Sequence, residues 1–171
     1  MIQPTYPVLT PIERAKLLDI PQGNHVATVI DSDTYNEIDD QFAIAWALLN
    51  QPRLDVQAIY AAPFTNSMFN NTHEAVSDAG VGMELSYDEI HRVIERMDLE
   101  QQPLVLKGST RYIKDSNEPE LSAAVVDLIE RAQSCEGTLQ VIAIGAPTNI
   151  ANAIIASPSI IHKIHVLWLG G

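Results

Sequence analysis

Apolar residues come in short blocks along this chain, with helix-length segments between them. His25 is followed by Val26-Ala27-Thr28-Val29-Ile30, a nearly continuous apolar run of the kind that forms a parallel strand buried on both faces. Similar runs recur at Val56–Ala61, Leu104–Leu106, Leu139–Ile144 and Ile164–Leu169. Glu37–Asn50 contains Phe42, Ala43, Ile44, Ala45, Trp46, Ala47, Leu48 and Leu49, apolar all round, which predicts a helix that lies deep. Tyr87–Met97 has an amphipathic pattern with Ser86 as its N-cap, and Glu120–Gln133 and Thr148–Ala156 complete the helices of this region. Pro63–Gly82 reads as a long polar loop, a length more typical of functional loops than of plain connections.

Strand and helix alternate throughout, so the expected fold is α/β: an open, mostly parallel Rossmann-like sheet with helices on both faces. The domain is expected to span 25–171. Residues 1–24, with Pro4, Pro7, Pro11 and Pro21, form an N-terminal arm. Within the arm, Thr10-Pro11-Ile12-Glu13 predicts a helix start, with Thr10 and Glu13 as a capping box and Pro at the first helical position. The sequence ends at Val166-Leu167-Trp168-Leu169-Gly170-Gly171, the carboxyl edge of a strand. There this architecture expects a site loop and a covering helix, so the sheet is expected to be truncated and to expose apolar surface for association with itself or a partner.

Composition narrows the function classes. A chain of 171 residues suits one domain, and 46% hydrophobic against 19% charged residues excludes general disorder. No apolar run approaches the ~18 residues of a membrane span, and the N-terminus lacks the pattern of a secretory signal, so a cytoplasmic protein is expected. The single Cys135 allows no intrachain disulfide and no CxxC site. With 22 acidic and 10 basic residues, the net charge of -12 repels phosphate backbones, and nucleic acid is not an expected partner.

The acids are not evenly spread. Asp31-Ser-Asp33-Thr-Tyr-Asn-Glu37-Ile-Asp39-Asp40 places five carboxylates in ten residues, where a buried strand meets a helix. In open α/β sheets ligands bind outside the carboxyl ends of the strands. Carboxylates packed there repel one another unless donors or a cation neutralise them, and Mg²⁺ or Ca²⁺ suits such oxygen ligands. The simpler alternative is helix capping by Asp39 and Asp40. An EF-hand loop starting at Asp31 fails, since Asn36 stands where Gly is needed and Phe42 where Glu is needed. A haloacid-dehalogenase-type phosphatase would use Asp31 as nucleophile and Asp33 as acid/base, but Tyr35 breaks that pattern and no downstream acidic pair follows.

The segment resembles the Asp-x-Asp-Pro-Gly-x-Asp-Asp signature of the inosine-uridine-preferring nucleoside hydrolase family. Asp31, Asp33, Asp39 and Asp40 match its acids, with two extra residues and Thr34-Tyr35-Asn36-Glu37 in place of the Pro-Gly turn. Ile142–Ala151 is similar to the family's strand followed by Gly-Pro-Leu-Thr-Asn-Ile-Ala, and Val166–Gly171 to its next strand and Gly-Gly. The resemblance implies that Asp33 contacts Ca²⁺ and acts as general base on the attacking water. It implies that Asp40 and the backbone carbonyl of Ile144 complete the chain's metal ligands, that Asp39 and Asn66 bind ribose, and that Asp31 supports the site from behind. The implied substrate is a nucleoside or related riboside. The family's later Asp ligand and leaving-group His would follow Gly171, so this chain alone is expected to have a damaged metal site and little activity. A homo-oligomer or a separate second half is the expected remedy. A phosphatase, and a sugar- or nucleoside-binding protein without catalysis, remain the alternatives.

Other residues carry less. His73 reads as a solvated loop histidine, and His162 and His165 straddle a helix-to-strand turn. Lys107-Gly108-Ser109-Thr110 reads as a turn, Thr148 and Asn149 as a helix-start cap, and Cys135 as inert.

Overall fold

The structure is a computed structural model that describes residues 5–67, 75–114 and 118–170. Its elements are α1 (Pro11–Leu18), β1 (Val26–Ser32), α2 (Asp39–Leu49), β2 (Leu54–Ala61), α3 (Ala79–Glu95), β3 (Leu104–Lys107), α4 (Ala123–Ser134), β4 (Leu139–Ala143), α5 (Thr148–Ala156), a 3₁₀ turn (Pro158–His162) and β5 (Ile164–Trp168). The five strands form one sheet in the order β3-β2-β1-β4-β5, and every pairing is parallel. The chain therefore winds outward from β1 to β3, crosses back, and continues from β4 to β5. Between β1 and β4 lies the switch point where such sheets bind ligands.

Alternate strand residues feed two cores. Val29, Tyr60, Val141 and Ala143 pack with Val125, Leu128, Ile150 and Ile160, from α4, α5 and the 3₁₀ turn. Ile30, Ile59 and Ala61 pack on the other face with Ile44, Leu48, Met83, Ile90 and Ile94, from α2 and α3. Helices thus cover both faces, as the continuous apolar runs require. Tyr60 is fully buried, and its hydroxyl donates to Asp127 at 2.8 Å.

Three helix expectations need correction. α2 is not buried on every side: Ile44, Ala47 and Leu48 face the sheet, whereas Phe42, Trp46 and Leu49 are about 70% exposed (69%, 74% and 72%). Composition identified an apolar helix, but no described element covers its outer stripe. α3 begins at Ala79, not near Tyr87. Asp78 is its N-cap, accepting from the Val81 amide at 3.0 Å, and Ser86 is buried within the helix. Gly80 and Gly82 read as loop in the sequence, yet a Cβ on Gly82 would overlap the Phe64 carbonyl oxygen. The glycine is there for close packing of helix on loop, so the polar loop is shorter than expected. α4 likewise starts after Glu120, with Ser122 accepting from the Val125 amide.

The arm bears out its capping box. Thr10 Oγ1 accepts from the Glu13 amide at 3.2 Å, and the Glu13 carboxylate accepts from the Thr10 amide at 2.7 Å. α1 buries none of its residues, and Glu13 lies 3.8 Å from His162 beside the sheet. Among the described residues no helix is long and apolar enough to cross a membrane.

The close approach at Gly82 makes a stability prediction. Gly82→Ala should lower stability by about 1–3 kcal/mol in urea titration, since the added methyl must displace backbone. An unchanged midpoint would show that α3 does not sit against Phe64 as described.

Candidate active site at the carboxyl edge of the sheet

β1 carries its apolar run straight into the acids. Asp31 is 0% exposed and Asp33 8%, and Asp40, in the first turn of α2, is 5% exposed. Asp33 and Asp40 meet: their carboxyls share a hydrogen bond. Ser32 donates to Asp40 Oδ2 at 2.7 Å, and the Asn36 amide donates to Asp33 Oδ2 at 3.1 Å. Burial, opposed by these donors, raises the pKa of Asp33 and pushes that of Asp40 up to about 7. Two carboxyls this close cannot both ionise cheaply without a cation or a shared proton.

These acids open on a cleft of about 650 Å³ lined by Asp33, Asn36, Glu37, Asp39, Asp40 and, across the switch point, Ile144 to Pro147 and Trp168 to Gly170. Asp39 is exposed at the rim. The loop after β4 lies tightly against the acids: a Cβ on Gly145 would stand 2.7 Å from Asp33 Oδ1. The Trp168 indole donates to the Gly145 carbonyl at 3.1 Å. Asn66 does not line this cleft. Its side chain donates to Asn36 Oδ1 at 3.0 Å, one hydrogen bond removed from Asp33, and its backbone forms a bridge with Val76.

Asp31 stands behind the cleft, on the α5 side of β1. Asn149 Nδ2 donates to its Oδ1 at 2.7 Å, while its Oδ2 is buried without a partner. Burial, partly offset by Asn149 and reinforced by Asp33, pushes its pKa up to about 7. The phosphatase pattern needs position 31 as an accessible nucleophile, and its complete burial argues against that use. Asn149 is the residue that sequence reasoning misplaced. α5 has Pro147 as its N-cap and no side-chain cap, and the Asn149 carboxamide reaches instead to Asp31, Ala61 and Ser109. Ser109, in the segment read as a simple turn, is fully buried and also bonded to Asn152 at 2.9 Å. His73 and Gly171 lie outside the described residues.

A hard cation suits the donors in kind. Asp33, Asp40 and the Ile144 backbone border one cleft, all offer oxygen, and none of the acids has an ion-pair partner among the described residues. No cluster of three or more His, Cys, Asp or Glu side chains arranged for a metal occurs among the described residues. The acids that line the cleft among the described residues are Asp33, Glu37, Asp39 and Asp40.

The sequence profile of the inosine-uridine preferring nucleoside hydrolases matches residues 28–171. The chain belongs to that family. The fold agrees with solved structures, although at low identity. A purine-preferring ribonucleoside hydrolase from Gardnerella vaginalis is 20% identical, with a TM-score of 0.64, over 85% of this chain and 48% of that one. An inosine-uridine preferring nucleoside hydrolase from Bacillus anthracis is 16% identical, with a TM-score of 0.57, over 85% and 50%. The type III effector protein XopQ, solved with adenosine diphosphate ribose, is 18% identical, with a TM-score of 0.58, over 94% and 50%. The chain thus spans about half the length of these family-fold structures. No curated protein matches it by sequence.

Burial of Asp31 has a pH consequence. Its carboxyl rises from 3.8 to about 7 on folding, so the folded state holds a proton that the unfolded chain releases. The associated stability is fully present below about pH 3.8 and is lost as pH rises to about 7. In metal-free protein, Asp31→Asn should therefore flatten the decline in urea midpoint across that window. Equal declines in both proteins would place the Asp31 carboxyl in a more solvated setting.

Proposed function

We propose that the chain carries the acidic part of a site that hydrolyses the N-glycosidic bond of ribonucleosides. The observation that carries this reading is the meeting of the Asp33 and Asp40 carboxyls beside the Ile144–Pro147 loop, at the switch point of a nucleoside hydrolase fold. Asp33, raised in pKa and open to the cleft, takes the proton from the attacking water. Asp39, at the rim, holds a ribose hydroxyl. Asn66, which donates to Asn36 beside Asp33, is the second ribose-binding residue. The carboxylates stabilise the oxocarbenium-like charge that develops as the base departs.

Asp33, Asp40 and the Ile144 carbonyl would hold Ca²⁺. When bound, the ion supplies Lewis acidity and fixes the sugar diol. The described lining of the cleft contains no histidine to protonate a leaving base. That requirement, with the partial metal shell, makes a further half or a partner chain part of the proposal. Calcium titration by calorimetry is the test, with Asp40→Asn as control. Saturable binding that is lost in the variant supports the reading, and absence of binding to the wild type overturns it for this chain. Inosine and uridine hydrolysis, followed by chromatography of the released base, then separates catalysis from riboside binding without turnover.

Association belongs to the same proposal. Leu167, Trp168 and Leu169 are exposed, as are Phe42, Trp46 and Leu49 on the outer side of α2. Sedimentation should show a species heavier than the 18.8 kDa monomer, and a monodisperse monomer would contradict it.

A further inference from the structure

Both ends of the loop that borders Asp33 are tied to one residue. The Ile144 amide donates to the Asp31 backbone carbonyl at 2.9 Å. Five residues later, Asn149 Nδ2 donates to the Asp31 carboxyl at 2.7 Å. Between these points lie Gly145, packed on Asp33, and the Ile144 carbonyl. Asn149 is 0% exposed, and its carboxamide makes the full set of bonds it can make. Its second amide proton goes to the Ala61 carbonyl at 3.3 Å, and its oxygen accepts from the Ser109 amide at 2.7 Å and hydroxyl at 2.9 Å. One side chain thereby joins the carboxyl ends of β1 and β2 to the residues just after β3. The room for it comes from Gly108, where any Cβ would overlap the Asn149 amide and the Ala61 carbonyl.

We propose that Asn149 is a positioning residue: through Asp31 it staples the Ile144–Thr148 loop to β1 and so sets the relation of that loop to Asp33 and Asp40. The proposal rests on the functional reading of those two acids, but its geometry does not require that reading. A buried asparagine could instead serve stability alone, and the neighbouring Asn152 provides the comparison. Asn152 is 1% exposed, donates to Ser109 Oγ at 2.9 Å and accepts from the Glu120 amide at 3.2 Å. It belongs to the same network without touching Asp31.

The test uses the full chain and two readouts. The first is the carboxyl-carbon NMR resonances of Asp33 and Asp40 in metal-free protein. Asn149→Leu should move both, whereas Asn152→Leu, destabilised to a similar extent, should leave them in place. The second is calcium affinity, which should fall about tenfold or more in Asn149→Leu, as loss of a group that orients metal ligands does, and change less than about twofold in Asn152→Leu. The exchange Asp31→Asn with Asn149→Asp restores the bond between positions 31 and 149 with reversed polarity at unchanged net charge, without the bond to the Ala61 carbonyl, and should recover part of the loss. If Asn149→Leu does not fold, Asn149→Ser, shorter by the amide group, is read in the same way. Resonances that stay in place in the Asn149 variant, or that move equally in the Asn152 variant, overturn the staple. Resonances moved by Asn149→Leu, together with a wild type that binds no calcium, would leave the staple standing and remove the metal reading.

Discussion

The structure depends on holding carboxyl groups out of water at the carboxyl end of β1. Three of them, Asp31, Asp33 and Asp40, are less than a tenth exposed, and none forms an ion pair among the described residues. An uncompensated buried charge costs several kcal/mol, so such groups must keep protons, collect donors or attract a cation. The surroundings show the second solution in detail. Asn149 serves Asp31, Asn36 serves Asp33, and Ser32 serves Asp40, each a neutral donor that cannot cancel the charge. The remaining imbalance is carried in part by retained protons, since burial pushes the pKa of Asp31 and Asp40 up to about 7.

That arrangement uses glycine where backbone and side chain must nearly touch. Gly145 lets the loop after β4 lie on Asp33, and Gly108 lets the residues after β3 close over Asn149. The parallel sheet brings these loops together although they lie far apart in sequence. The strand order β3-β2-β1-β4-β5 places the end of β1 between the ends of β2 and β4. An acid-lined cleft and a buried hydrogen-bond network thus arise on opposite sides of one short stretch of backbone.

The two faces of the sheet are covered unequally. Beside β4, a groove of about 300 Å³ lined by Ile30, Ala43, Trp46, Ala47, Ile142 and Ile144 lies open under α2. It adjoins the cleft through Ile144, which contributes to both.

The alternation of apolar runs and helices was legible without coordinates because a strand buried on both faces must be apolar throughout. The acidic signature was equally legible, since five carboxylates beside such a strand have few bland uses. The limits of the elements were less so. Gly82 looked like a loop residue until packing against Phe64 showed why a helix needs it, and α2 looked buried because composition reports apolarity but not which side meets the sheet. Asn149 was legible as part of a family-like segment, yet its role was not, because its partners Asp31, Ala61 and Ser109 are 118, 88 and 40 residues away. The sequence by itself determined the secondary-structure order and the chemistry available at the end of β1, both consequences of local pattern. Only the tertiary structure decided which carboxyls meet, which are sealed from solvent and which loop stands over them, because hydrogen bonding and desolvation depend on distances that the parallel crossovers create.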